Sequence, residues 1–371
     1  MRIPTELARR PMLAPALGAT LLVQTLLQGG AVQAASSSSN SYQRTSLVSD
    51  LPGVARVTDP HLVNPWGLSA SPTGPFWVSD NGTGLATIYD GHGTPSSLVV
   101  TVPPPAGSSG TAAPTGNVFN PTSDFVVMQG GTSGPSQFIF ATEDGTISGW
   151  NPAVNPTMAV LAVDNSASGA VYKGLALGSN ARGNFLFAAN FHAGTVDVFD
   201  AHFTPATLAG SFHDPALPAG YAPFNIANIG GQLFVTYAVQ DADKHDDVPG
   251  SGHGFIDVFD TNGNLVRRFT SHGPLNSPWG LALAPADFGK FSGDLLVGNF
   301  GDGRINAFDP TSGAFLGTLR DREGNPIAIP GLWALRFGNG GQAGDPHTLF
   351  FTAGIVHEQH GLFGSLQHQD E

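Results

Sequence analysis

The sequence contains no cysteine, which excludes disulfide bonds, thiolate metal sites, iron–sulfur clusters and cysteine nucleophiles. Charges are also sparse for a chain of 371 residues, with 15 Lys and Arg against 28 Asp and Glu and a formal net charge of −13. We expect no nucleic-acid partner, because an acidic chain lacks the basic surface that displaces phosphate counterions. Lysine is scarce, since only Lys173, Lys244 and Lys290 occur. Schiff-base chemistry therefore has few candidates.

Long helices are not expected, because the chain contains 49 Gly and 29 Pro, about a fifth of its residues. The apolar fraction of 41%, with 25 Phe, is nevertheless sufficient for a hydrophobic core and argues against disorder. Short runs rich in Val, Leu, Ile and Phe alternate with Gly, Asp, Asn and Pro, which is the pattern of strands and turns. The composition therefore predicts an all-β protein.

The first residues have the pattern of an export signal. Arginines precede an apolar stretch, and Val32-Gln33-Ala34 offers the small residues of a cleavage site. We predict a cleaved signal peptide at 1–34, a flexible Ser-rich spacer at 35–41, and a periplasmic or secreted protein. The adjacent Arg9 and Arg10 leave a twin-arginine route open. No later segment has about 20 uninterrupted apolar residues, so no membrane span is expected.

A unit of about fifty residues with four short strands repeats along the chain. It is clearest between Ser277 and Arg320, where a Pro-Trp-Gly opening is followed by three apolar runs separated by hairpin-sized turns. Six such units open near residues 67, 125, 174, 225, 280 and 333. Repeats of this length with four strands each predict propeller blades.

The sixth unit has only three strands, whereas an additional strand at Tyr42–Val48 precedes the first unit. We predict that this N-terminal strand supplies the outer strand of the last blade and hides the open sheet edges. The result is a single six-bladed β-propeller over 42–367, a tail at 368–371, and a monomer.

In this topology the start of each inner strand and the turn between the second and third strands lie at one end of the channel, which we call the mouth. Polar residues at these places converge on one face, among them Asn64, Asn81 and Asp124. Asn and Asp are also common in tight turns for structural reasons, because they tolerate positive φ and bond their own backbone. The candidates for general acid–base chemistry are Glu358 and His360.

The longest connection at the mouth, 240–253, carries four carboxylates and a histidine within seven residues. The predicted metal ligands in this loop are Asp241, Asp243, His245 and Asp246. Such oxygen ligands suit Ca²⁺, and the histidine also suits a transition metal. We predict one divalent cation, with Ca²⁺ favoured. The loop lacks the spacing of an EF-hand, however, and its charge density is also typical of a solvated acidic loop.

Other catalytic motifs are absent from the sequence, including the nucleophile elbow, the phosphate loop and the dinucleotide fingerprint. The segment His357–His360 has its histidines three positions apart between strand-like flanks, so it does not fit the helical zinc-protease motif. Trp66, Trp279 and Trp333 recur at one inner-strand position, which predicts core packing rather than a sugar platform.

The sequence resembles a family of exported bacterial propeller proteins, some of which end in a PEP-CTERM sorting tail. The segments that carry the resemblance are Leu62-Val63-Asn64-Pro65-Trp66-Gly67-Leu68, Val235-Thr236-Tyr237-Ala238-Val239-Gln240-Asp241 and Leu296-Val297-Gly298-Asn299-Phe300-Gly301-Asp302. The repeats are also similar to NHL-type repeats and, more distantly, to lactonase and strictosidine-synthase-like propellers. No sorting tail follows Gln367, so we expect a free protein.

The lactonase resemblance implies one divalent metal held at the mouth by Glu, Asn and Asp, which would polarise an ester carbonyl. Residues of these types at the mouth are Glu143, Asn190, Asn225 and Asp302. Two functions follow. The first is an exported ligand-binding or protein-interaction module whose mouth takes a small molecule or a protein, and the alternative is a metal-dependent hydrolase or lyase of the lactonase (gluconolactonase-like) type. A purely structural Ca²⁺ in the loop is a third possibility.

Overall fold

The computed structural model describes residues 40–369, in which six sheets are arranged around one axis. Their strands are antiparallel except for one short parallel pair at the outer edge of the last sheet. The predicted signal peptide at 1–34 and most of the spacer lie outside the described residues. Helix is confined, over 40–369, to two short 3₁₀ turns at Ser166–Ser168 and Gly289–Phe291. No helix in this range has the length and apolar character to cross a membrane. The predicted six-bladed β-propeller is confirmed.

The strands of each blade follow one another from the axis outwards. Blade 1 comprises Pro65–Ala70, Phe76–Asp80, Leu85–Tyr89 and Val100–Thr101. Blade 2 comprises Pro114–Phe119, Phe138–Thr142, Thr146–Trp150 and Val160–Asp164, and blade 3 comprises Tyr172–Asn180, Gly183–Asn190 and Thr195–Phe199. Blade 4 comprises Tyr221–Ile229, Gln232–Val239, Phe255–Phe259 and Leu265–Ser271. Blade 5 comprises Pro278–Leu283, Leu295–Asn299, Ile305–Phe308 and Phe315–Thr318. Blade 6 comprises Leu332–Phe337, Leu349–Ile355, His360–Gln369, Ser41–Ser49 and Val57–Thr58.

The N-terminal strand closes the ring as predicted. Ser41–Ser49 runs antiparallel to His360–Gln369, with a bulge between Ser46 and Val48. Tyr42 is buried in this blade and donates its hydroxyl hydrogen bond to the Phe288 carbonyl at 3.0 Å. The N-terminal strand begins at Ser41, the last residue of the predicted spacer. The last strand ends at Gln369, two residues beyond the predicted end of the propeller at 367.

Blade 2 differs from the prediction. Its inner strand is Pro114–Phe119, before the predicted opening near residue 125, whereas Val126–Gln129 pairs with Thr132–Pro135 in an inserted hairpin. The apolar residues that suggested an inner strand are buried for another reason, because Phe125 packs in the core shared by blades 2 and 3. Asp124 therefore follows the end of the inner strand and lies away from the mouth.

Blade 3 has three strands in the described chain where the repeat predicts four, because its third strand is followed by an isolated bridge between Phe199 and Pro205 and residues 207–212 join no sheet. Phe212 is still buried, and its ring lies 5.5 Å from that of Phe187 and 5.3 Å from that of Phe259. An apolar residue in this segment thus fills a gap between blades without joining a sheet.

Neighbouring blades approach closely at the axis because their inner strands carry glycine. A Cβ on Gly67 would lie 2.4 Å from the Thr115 carbonyl oxygen of blade 2, and one on Gly280 would lie 2.6 Å from the Trp333 carbonyl oxygen of blade 6. Contacts of this length are sterically forbidden. The glycine of the recurring Pro-Trp-Gly opening is therefore needed where the backbones of neighbouring blades touch.

The channel is closed by aromatic rings from several blades. Trp66 stacks on Trp333 with ring centroids 3.4 Å apart, and Trp279 meets both rings edge-on at 6.2 and 5.8 Å. Phe224 and Phe300 pack on Trp333 from blades 4 and 5. The three tryptophans are buried, which confirms their predicted role in packing. This tryptophan plug, Trp66, Trp279 and Trp333, separates the mouth from the rest of the axis.

Candidate functional site

A buried lysine lies on the mouth side of the tryptophan plug. Lys173 belongs to the inner strand of blade 3, and its side chain is 2% exposed. Its Nζ lies 5.0 Å from the ring centroid of Trp66 and 5.9 Å from that of Phe191. The Trp279 indole also donates a 3.2 Å hydrogen bond to the Lys173 carbonyl. The ammonium is thus fixed over an aromatic surface at the axis, where a cation is attracted to ring faces.

Two carboxylates from neighbouring blades compensate this charge. Lys173 Nζ donates to Oε1 of Glu143, which follows the second strand of blade 2, and to Oδ1 of Asp246 at 3.2 Å, in the 240–253 loop of blade 4. Burial opposes the charged form, but the two carboxylates outweigh it and raise the pKa of Lys173. Partial burial opposes the charged form of Asp246, but Lys173 and His245 together outweigh it and lower the pKa of Asp246. A charged amine is not a nucleophile, so Lys173 acts here as a fixed positive charge.

Two asparagines extend the network to blade 6. Asn81 Nδ2 donates to Glu143 Oε2 at 2.8 Å. Asn64 Nδ2 lies 3.3 Å from Asn81 Oδ1 and 3.0 Å from Glu358 Oε2, while its own Oδ1 accepts the indole hydrogen bond of Trp333 at 3.2 Å. The mouth cluster consists of Lys173, Glu143, Asp246, Asn81, Asn64 and Glu358.

Glu358 titrates near neutral pH. Burial raises its pKa, the hydrogen bond from Asn64 lowers it and the charge of Glu143 raises it further, so that its pKa is about 7. The turn that carries it is also unusual, because Val356, His357 and Glu358 have φ of 55°, 54° and 64°. Successive left-handed residues with side chains are rare and are often found where function demands them. Glu358 is therefore the residue of the mouth cluster best suited to exchange a proton.

The structure does not join the two predicted acid–base residues. His360 Nδ1 pairs with Asp50 Oδ2 at 2.6 Å, beside the N-terminal strand of blade 6. Glu358 bonds Asn64 on the side facing the axis. His360 thus ties the closing strand to the ring and does not share a proton path with Glu358 in this arrangement.

Of the ligand set implied by the lactonase resemblance, Glu143 belongs to the mouth cluster and the other three residues bond elsewhere. Asn190, Asn225 and Asp302 each have a hydrogen-bond partner outside the mouth cluster. The bonds are Asn190 Nδ2 to Asp197 Oδ2 at 2.9 Å, Asn225 Nδ2 to the Trp279 carbonyl at 2.7 Å, and Asn299 Nδ2 to Asp302 Oδ1 at 3.1 Å.

A different group of metal-ligand types comes together. One ligand atom each from Glu143, His245 and Asp246 lies within 4.8 Å of the others. This group takes one residue from the set implied by resemblance and two from the acidic loop. Asp241 instead accepts the backbone hydrogen bond of His245 at 2.9 Å, and Asp243 is exposed.

Lys173 determines whether this group fits a metal. One imidazole and two carboxylates suit a transition metal better than Ca²⁺, which prefers oxygen ligands. However, the ammonium of Lys173 already bonds both Glu143 and Asp246. A divalent cation between these carboxylates would meet a positive charge at hydrogen-bond distance from its own ligands. The donor set therefore fits a metal only if Lys173 moves away.

Lys173 is the site residue that the sequence pattern did not reveal. Its neighbours in the inner strand, Tyr172 and Leu175, are apolar and buried, so nothing local distinguishes it from a strand residue. The available signal was that lysine is rarely buried. A lysine inside an otherwise buried strand needs a partner for its charge, and that need marks it as unusual.

Sequence comparison relates the chain to proteins of a mimivirus. Uncharacterized protein R648 of Acanthamoeba polyphaga mimivirus is 36% identical over 327 residues, covering 86% of this chain and 78% of that protein. Uncharacterized protein L690 of the same virus is 35% identical over 334 residues, covering 86% of this chain and 84% of that protein. The chain belongs to the family of these two mimivirus proteins. No family model matches the chain.

Solved structures show the same architecture at low identity. The soluble aldose sugar dehydrogenase of Escherichia coli in its apo-form is 11% identical with a TM-score of 0.52, covering 89% of this chain and all of that one. A glucose dehydrogenase is 12% identical with a TM-score of 0.51, covering 87% of this chain and 99% of that one. At such identity the likeness concerns the fold alone, because one fold hosts unrelated functions.

Proposed function

We propose that this chain is a ligand-binding propeller whose mouth cluster holds a small polar molecule. The observation that carries the proposal is the convergence of charged and amide groups from five blades above the tryptophan plug. A few convergent polar groups over an apolar floor are typical of small-molecule sites. The five contributions are Asn64 and Asn81 from blade 1, Glu143 from blade 2, Lys173 from blade 3, Asp246 from blade 4 and Glu358 from blade 6.

The charge of the mouth cluster selects among ligands. Three carboxyl groups face one ammonium, and Glu358 is about half ionised at neutral pH. The cluster is therefore net negative, so it repels anions and favours neutral or cationic molecules bearing hydroxyl or amino groups. A protein partner that presents a lysine or an amide at the mouth would satisfy the same chemistry.

Three compounds related to glucose, which differ mainly in charge, test this preference. We expect glucosamine, a cation, to raise the melting temperature more than glucose, and gluconate, an anion, to leave it unchanged. Glu143→Gln should weaken glucosamine binding in calorimetry, while Asp302→Asn, at the mouth but outside the cluster, should not. Equal binding of glucosamine and gluconate, or loss of binding only in Asp302→Asn, would contradict the proposal.

A metal-dependent hydrolase or lyase of the lactonase type is the second candidate. The proximity of Glu143, His245 and Asp246 favours it, together with a Glu358 carboxyl that could transfer a proton. Bound there, a cation would polarise a carbonyl group. Lys173 argues against this candidate, since its ammonium already bonds two of the three ligands.

Calorimetric titration with Zn²⁺, Mn²⁺ and Ca²⁺ separates the two candidates. If Lys173 fills the metal position, the parent protein should bind none of these ions tightly and Lys173→Met should gain a site that His245→Ala removes. One ion per parent chain, lost in His245→Ala, would favour the hydrolase. One Ca²⁺ lost only when Asp241 or Asp243 is changed would instead indicate a structural ion.

Export is also part of the proposal. The arginines and small residues within 1–34 support a cleaved signal peptide and a spacer at 35–41, as in the exported bacterial propellers with NHL-like and lactonase-like repeats that the sequence resembles. The mature protein would be a periplasmic or secreted monomer. Expression of the full chain in a bacterial host should give an N-terminus at Ala35 in the exported fraction. An intact Met1 in the cytoplasm would contradict this, and a requirement for both Arg9 and Arg10 would indicate the twin-arginine route.

A further inference from the structure

A second cavity lies behind the tryptophan plug, at the end of the axis opposite the mouth cluster. It has a volume of about 740 Å³ and is surrounded by the inner strands of all six blades. Trp279 contributes to its wall, so the plug separates it from the mouth. Most of its side chains are apolar, including Leu68, Val118 and Leu177. The volume is in the range of cavities that hold small organic molecules.

Among the described residues, Arg336 is the only charged one in the wall of this axial cavity. It is the penultimate residue of the blade 6 inner strand, and it donates one hydrogen bond, from Nη2 to the Ala70 carbonyl at 3.3 Å. Within residues 40–369, no carboxylate forms an ion pair with it, and burial lowers its pKa without an opposing charge. A guanidinium has five N–H donors in a rigid fork, so most of its capacity is unused. Arg336 is partly buried, and a cation withdrawn from water without an anion is unfavourable, so a ligand anion would reduce that penalty.

The backbone around the cavity also favours an anion. Each inner strand is the edge of its sheet, so the groups that it turns to the axis lack ladder partners. Several of the carbonyls are already used, because Asn228 Nδ2 donates to the Leu177 carbonyl and Asn225 Nδ2 to the Trp279 carbonyl. Side-chain donors thus already bond backbone carbonyls along the wall. No acidic side chain of the described chain lines the cavity.

We propose that the axial cavity binds an organic carboxylate with an apolar body. The carboxylate accepts a two-pronged hydrogen bond from Arg336, a geometry that guanidinium groups form readily. Arg336 and Ala70 lie at the ends of their inner strands, away from the plug, so the carboxylate lies near the opening. The apolar body extends inward between Leu68 and Leu177 towards Trp279. This site shares no residue with the mouth cluster and does not depend on its function.

Octanoate is the probe for this proposal, with octanamide as its uncharged analogue and octyl phosphate as a different anion. We expect saturable octanoate binding by calorimetry, accompanied by a change in tryptophan fluorescence because Trp279 lines the cavity. Arg336→Met should weaken octanoate affinity at least tenfold and leave octanamide unaffected. Arg182→Met is the matched control, since Arg182 is exposed and also donates to one backbone carbonyl, that of Thr207.

Several results would overturn the inference. These are the absence of saturable octanoate binding, equal affinity for octanamide, or unchanged octanoate affinity in Arg336→Met. Tighter binding of octyl phosphate would overturn the assignment to a carboxylate. If Arg336→Met does not fold, Leu177→Trp supplies an independent test, because filling the cavity should abolish octanoate binding while leaving Arg336 in place. Retained binding in that variant would locate the ligand elsewhere.

Discussion

Replacing Glu358 by glutamine should stabilise the protein in a strongly pH-dependent way. In the unfolded chain a glutamate ionises near pH 4.5, whereas burial raises the pKa of Glu358 in the folded chain to about 7. Between these pH values the folded chain keeps a proton that the unfolded chain has lost, so the free energy of unfolding decreases as the pH rises through this range. A difference of about 2.5 between the two pKa values corresponds to about 3 kcal/mol when the transition is complete.

Glutamine retains the neutral form at every pH, and its carbonyl can accept the hydrogen bond from Asn64. We therefore expect Glu358→Gln and the parent to unfold at the same urea concentration near pH 4.5. Near pH 8.5 the variant should be more stable by up to about 3 kcal/mol. Urea unfolding followed by tryptophan fluorescence measures both values. Glu323→Gln, which changes an exposed carboxylate, should show the same difference from the parent at both pH values. If Glu358→Gln were equally or less stable than the parent at pH 8.5, folding would not raise the pKa of Glu358, and its role as a group that exchanges a proton near neutral pH would fail.

Three further changes test the ring and its mouth. Lys173→Met should lower the free energy of unfolding by about 3 kcal/mol, because Glu143 and Asp246 lose their counter-charge. Urea unfolding measures this loss. Trp333→Ala should cost about 3–5 kcal/mol through the void it leaves in the plug, while Phe315→Ala, at a half-exposed ring, should cost less than about 1 kcal/mol in the same assay. Deleting 41–49 should abolish cooperative unfolding and produce aggregates in size-exclusion chromatography, since an open edge is left on blade 6. A cooperative monomer after the deletion would show that closure is dispensable.

The architecture could be predicted because each blade repeats the same local chemistry. The Pro-Trp-Gly openings at Trp66 and Trp279 mark inner strands, and the orphan strand at Tyr42–Val48 supplies the missing partner of blade 6. The inner strand of blade 2 was missed because Pro114–Phe119 contains Pro, Gly and Asn, which favour a turn when judged alone. Its pairing with Phe138–Thr142 overrides these local preferences.

The mouth cluster was only partly predictable, since it depends on contacts between distant residues. Glu143, Asp246 and Glu358 were recognised as polar residues at the mouth. Their organisation around Lys173 depends on side chains separated by 30 and 73 positions in the sequence. Residue types indicate which ligands a metal would accept, but the lysine that pairs with Glu143 and Asp246 becomes visible only in three dimensions.

The closing strand also determines when the molecule can be completed. Ser49 Oγ bonds the Gly361 carbonyl at 2.7 Å across 312 positions of the sequence, so the first strand must wait for the last to be synthesised. Contacts of such long sequence separation form slowly, because the entropy of loop closure opposes them until the partner arrives. During elongation the chain therefore carries an unpaired first strand beside a growing, open row of blades. Ring formation therefore waits until residues 360–369 have been synthesised, and a nascent chain that stops before residue 360 has no partner for its first strand.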